Sequence, residues 1–188
     1  MKAISSVIVA SLLALRCYAA APAPIDGIAG LPLGSGTAEM MSLMDQRGAH
    51  INHGRSTSSH FYFVDGSFEN QSVAVWHFHF FDSKLYRTEV ALHPGDDKLN
   101  AYNEMKKALV EKYGATVQET KVKMDDADLI QLVNQGKLEL NSTWIDSSSG
   151  HSLSCTLALN PAHYVLLRLT YKDDKTDTQL SEQEKSDL

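Results

Sequence analysis

Between Ser72 and Phe81 polar and apolar side chains alternate more cleanly than anywhere else in the chain. A second alternating run, Leu85 to Leu92, follows directly after Asp82-Ser83-Lys84. A period of two is the mark of a strand with one buried face, so this stretch commits the chain to an antiparallel ribbon. Ala74, Trp76, Phe78 and Phe80 fall on one side of the first strand, and Val73, Val75, His77, His79 and Phe81 on the other. Tyr86, Thr88, Val90 and Leu92 share a side of the second. A slip of one residue would turn every side chain over, so the apolar faces set the register. A three-residue loop pairs Phe81 with Leu85, Phe78 with Thr88 and Trp76 with Val90. A two-residue loop would set Phe78 against Arg87 and Trp76 against Glu89, so the three-residue loop is expected.

Helices flank this ribbon. Thr37 is placed to cap a helix over about 38–47, with Met40, Leu43 and Met44 on one side and Gly48 after its end. Asp96 or Asp97 opens the longest helix, striped by Leu99, Tyr102, Met105, Leu109 and Val110 and stopped at Gly114. Asp125 caps a short one over about 126–134, ended by Gly136. His60 to Val64 reads as a strand closed by the turn pair Asp65-Gly66, and residues 49–58 as a polar loop. A weak strand over 115–122 and three stronger ones, 138–145, 151–159 and 164–171, complete the set. The fold class expected is α+β: an antiparallel meander packed by two to three helices. Arg47-Gly48-Ala49-His50-Ile51 and Tyr113-Gly114-Ala115-Thr116-Val117 each lead from a helix into strands, so two helix-plus-strands halves are an open alternative.

The N-terminus carries Lys2, an apolar run from Ile4 to Leu15, and Ala19, Ala20 and Ala21. That order is the layout of a secretory signal peptide, and the run is too short to cross a bilayer. Residues 1–19 are read as the signal, 20–36 as a linker rich in Ala, Pro and Gly, 37–171 as one domain, and 172–188 as a loose charged tail. Losing Lys2 and Arg16 takes the formal charge from −6 to about −8, which disfavours nucleic acid as a partner. Cys17 would leave with the signal, so Cys155 stands alone and no intramolecular disulfide can form. A disulfide-free exported domain fits a bacterial periplasm or secretome.

The glycine-led approach to the first helix, Leu33-Gly34-Ser35-Gly36-Thr37, the meander after it, Phe81-Asp82-Ser83-Lys84-Leu85-Tyr86 and Lys112-Tyr113-Gly114 together make a pattern. It resembles small exported bacterial α+β proteins of the β-lactamase-inhibitor-protein-like fold, a type shared with outer-membrane assembly lipoproteins. The resemblance covers most of residues 30–171 and is one of pattern rather than motif. It implies a protein that presents a sheet face or loops to a protein partner. The inhibitors' disulfides have no counterpart in the mature chain, and Arg16 before Cys17 departs from a lipidation site.

The candidate chemistry lies in histidine. Six of the eight histidines fall between His50 and His93. His77-Phe78-His79 puts two imidazoles on one strand face about 7 Å apart, and the register places Glu89 across from His77 and Arg87 across from His79. Two imidazoles and a carboxylate suit zinc, copper or another divalent metal, and His60 and Tyr62 could reach the same face from a neighbouring strand. Against this, a solvated sheet face carries such residues at little cost, and Arg87 brings positive charge to the place a metal would take. His50 and His53 follow a helix end and read as loop; Met40, Met41 and Met44 read as core rather than a soft copper site. Ser149 near His151 lacks a nucleophile elbow, Cys155 alternates with Leu153 and Leu157 and should be buried, and no phosphate loop occurs. The expectation is an exported non-enzymatic module without a cofactor, engaging a protein or cell-envelope component. A periplasmic metal-binding protein using His77, His79 and Glu89 is the alternative.

Overall fold

A computed structural model describes residues 22–186; the expected signal peptide lies outside the described residues. The first part of the chain runs β1 (Gly27–Ile28), β2 (Leu31–Pro32), α1 (Thr37–Gln46), β3 (Ala49–Ile51), β4 (His60–Asp65), β5 (Ser67–Phe68), β6 (Gln71–Phe81) and β7 (Lys84–Leu92). The second runs α2 (Lys98–Tyr113), β8 (Gln118–Glu119), α3 (Asp126–Asn134), β9 (Leu140–Asp146), β10 (His151–Leu159), β11 (Val165–Asp173) and α4 (Asp174–Ser186). The α+β class is as expected, with four helices on the sheet.

Local chemistry explains most of these limits. Asp97 and Asp125 cap α2 and α3 by accepting from the backbone N–H groups of Asn100 and Asp128. Gly48 and Gly136, at φ of 67° and 68°, follow α1 and α3 in the left-handed conformation that glycine adopts freely. The cap of α1 differs from the expectation. Gly36 stands at the N-cap, its N–H donating to the Glu39 carboxylate, and Thr37 is already helical.

The sheet runs β3-β4-β6-β7-β11-β10-β9-β8, with β5 added beside the start of β6, and every pairing is antiparallel. Each half is a helix followed by a meander that begins at an outer edge and ends at the centre, where β7 meets β11. The repeat hinted at by Gly48-Ala49 and Gly114-Ala115 is therefore present in the strand order.

The hairpin of β6 and β7 keeps the expected pairs Trp76–Val90, His77–Glu89, Phe78–Thr88 and His79–Arg87. Its loop, however, is two residues, not three. Asp82 and Ser83 both have positive φ, as a tight hairpin turn requires, and Phe81 pairs with Lys84. A bulge that leaves Tyr86 as an extra residue restores the register between His79–Arg87 and Phe80–Leu85.

One sheet face is the core. Trp76, Phe78, Val90, Leu153, Cys155, Leu157 and Leu169 are fully buried there, with Met40 and Met44 of α1 and Tyr102, Met105 and Leu109 of α2 in the same cluster. The indole N–H groups of Trp76 and Trp144 donate to the carbonyls of Asp65 and Gly114, so neither buried ring leaves a polar atom unpaired.

Three segments depart from the sequence reading. Ile25, Ile28 and Leu31, in the stretch expected to be a linker, are buried in this core. Residues 49–51, expected as loop, form the edge strand β3. Most of the stretch expected to be a loose tail is α4, and it docks on the opposite, polar face of the sheet. Asp177 takes Arg87 and Lys172, and Asp174 accepts from the Ser152 hydroxyl. No helix among the described residues is long and apolar enough to cross a membrane.

Candidate metal centre

The polar face is built by pairing β4 with β6 and β6 with β7. His60 lies across from His79, and Tyr62 across from His77, so β4 delivers a third imidazole to the His77–His79 pair. One ring nitrogen from each of His60, His77 and His79 lies within 4.8 Å of the others. His60 Nδ1 and His77 Nε2 are 3.4 Å apart. Two nitrogens bound at about 2.0–2.1 Å to one tetrahedral zinc are separated by about 3.4 Å, so this edge of the triangle already has the spacing of a shared ion.

The rings are held in place from several sides. Tyr62 stacks on His77 at 3.8 Å between centroids, the Arg55 guanidinium lies over Tyr62 at 4.4 Å, and Tyr86 meets His79 edge-on. The Tyr86 bulge thus supplies one wall of the site.

Burial sets the protonation. Desolvation, aided by His60, Arg87 and Arg55 against the pull of Glu89, lowers the pKa of His77 to about 4. Desolvation, the His77 and His60 rings and Arg87 lower that of His79 to about 3, with Asp177 opposing. Both rings are neutral at neutral pH, the form that binds metal. His79 is 9% exposed, and its Nε2 is buried without a hydrogen-bond partner among the described residues. Such an atom carries a desolvation cost that a bound cation would offset.

Glu89 takes a different part from the one expected. Its Oε1 lies 3.8 Å from His79 Nε2 but accepts from both Nε and Nη2 of Arg87, at 2.9 and 2.6 Å. The carboxylate therefore belongs first to Arg87, and His60 replaces it as the third member of the cluster. Arg87 is in turn shared with Asp177, so its charge is neutralised from two sides rather than facing the imidazoles alone. The face is not the solvated surface that a half-buried sheet suggests.

The other sequence candidates stay apart. His50 lies on β3 and His53 in the loop after it, and neither joins the cluster. Met40 and Met44 are fully buried in the core, whereas Met41, also expected there, is exposed. His151 is hydrogen-bonded through Nδ1 to the Ile25 carbonyl at 2.7 Å, which ties it to backbone rather than to a serine nucleophile. Cys155 is fully buried, and burial pushes its thiol up to about 12, which makes it inert. The residue that sequence reasoning ranked too low is His60. The signal for it was the facing strand, but which strand faces β6 is a tertiary fact. Comparison with protein-family models, with curated proteins and with solved structures returned no match.

Proposed function

We propose that this is an exported protein that binds a divalent transition-metal ion through His60, His77 and His79. The observation that carries the reading is a ring nitrogen from each of three imidazoles within 4.8 Å of the others, with the Nε2 of His79 buried and without a hydrogen-bond partner among the described residues. Three imidazole nitrogens favour zinc or copper over magnesium or calcium, which prefer oxygen. Three protein ligands leave a fourth position for water or an outside ligand. Glu89, 3.8 Å from His79 Nε2 and oriented by Arg87, is placed to act as an outer counter-charge, in the way outer carboxylates orient metal sites.

Calorimetric titration of the metal-free chain with Zn²⁺ and Cu²⁺ at neutral pH tests this. One equivalent is expected to bind with micromolar or tighter affinity. His60→Ala, His77→Ala and His79→Ala should each weaken binding at least about tenfold, and Glu89→Gln by less, as an outer partner does. Wild-type protein that takes up neither ion, or a His60→Ala variant that binds like wild type, overturns the reading.

A further inference from the structure

A second feature, whose lining contains none of the three histidines, lies between α2 and the segment that links β1 to β2. It is a cleft of about 480 Å³, within the size range of small-molecule sites. Its apolar floor is formed by Phe68, Met105, Leu109 and Tyr171, and two cations, Arg47 and Lys112, line it.

Arg47 is the informative residue. It is half-buried, and its guanidinium donates to two backbone carbonyls, Ser67 O at 3.1 Å and Ala29 O at 3.0 Å, with the Trp76 ring 5.9 Å beneath it. Ala29 and Phe68, next to Ser67, both line the cleft, so the guanidinium lies at its wall. Among the described residues no carboxylate pairs with it. Two carbonyls use two of five donors and leave the charge uncompensated. Glu69 and Glu104 also line the cleft, but both are exposed, where solvent and salt screen their charge. The half-buried cation is screened far less.

We propose that this cleft binds an amphiphilic monocarboxylate, its apolar chain against Phe68, Met105 and Leu109 and its carboxylate on Arg47. An apolar floor and a half-buried guanidinium without a carboxylate partner select that class. A neutral lipid leaves the charge unmet, and a small hydrophilic anion leaves the floor wet. The guanidinium fork matches a carboxylate in geometry as well as charge. The site is independent of the metal reading, because none of the three histidines lines it.

Calorimetric titration of the metal-free chain with decanoate and with decanol separates the contributions. Decanoate is expected to bind one to one, and decanol at least about tenfold more weakly, since a hydrogen bond to a charged group contributes about 1.5–3 kcal/mol. Arg47→Met should erase that preference. Ala108→Trp, a change at an exposed wall position of α2, should fill the cleft and abolish binding of both. Equal affinity for decanoate and decanol in the wild-type chain, or decanoate binding that survives Ala108→Trp, overturns the proposal. If Arg47→Met does not fold, the wild-type preference and the Ala108→Trp result decide it. Metal binding at the histidines reads out separately in the same preparations, so either proposal can fail without the other.

Discussion

His77 and His79 make the folded state sensitive to acid. In the unfolded chain an imidazole takes up its proton near pH 6.5; in the folded protein these two hold off until about pH 4 and about pH 3. Between those values the unfolded chain binds more protons, so stability is fully present above about pH 6.5 and declines as pH falls towards 4. The melting temperature of the metal-free protein should drop across that window, and a His77→Gln/His79→Gln variant should lose most of the dependence. A midpoint that is flat from pH 7 to 4 in the wild type would contradict the neutral, buried rings. The His-x-His pair was legible in the sequence because alternation in a strand is local. Its protonation was not, because the rings packed on it include His60 and Tyr62 of β4, and which strand faces β6 is set by the tertiary fold.

At the scale of the element, the β6–β7 hairpin separates what patterning can and cannot reveal. Apolar residues at every second position give the pairing from Trp76 to His79, since only one register buries Trp76, Phe78, Val90 and Leu92 together. The same pattern cannot distinguish a three-residue loop from a two-residue loop followed by a bulge, because both leave the pairs from Trp76 to His79 unchanged and differ only at the hairpin end, where Phe80 meets Leu85 rather than Tyr86. Asp82 and Ser83 sit at φ of 50° and 63°, which asparagine and glycine adopt with less strain. Replacing them with Asn-Gly should stabilise the protein by about 0.5–1 kcal/mol, read as a higher denaturation midpoint with an unchanged slope. Deleting Tyr86 should do the reverse and also weaken metal binding, because the bulge carries that ring to His79. Helix α4 was missed for a related reason. It has little apolar surface to announce it, and it is fastened by Asp177 to Arg87 and Lys172. Burial opposes the ionisation of Asp177, but Lys172 and Arg87 outweigh it and hold its pKa below the usual carboxylate range. Partly exposed ion pairs each contribute little and weaken in salt. Asp177→Asn should therefore speed hydrogen exchange in α4 while leaving the core strands protected.

The whole molecule is organised about the junction of β7 and β11. Both meanders begin at a rim and finish at this junction, where Leu167–Leu92 and Leu169–Val90 pair across it. Strands that border one another at the centre are thus separated by the entire second helix-and-strand series. Long-range pairing of this kind slows folding. During synthesis, the strand that completes the middle of the sheet is the last of the described strands to emerge. The earlier meander must wait with the rim of β7 bare, inviting pairing with a neighbouring chain until β11 arrives. A holding chaperone would therefore have the most to do before β11 appears.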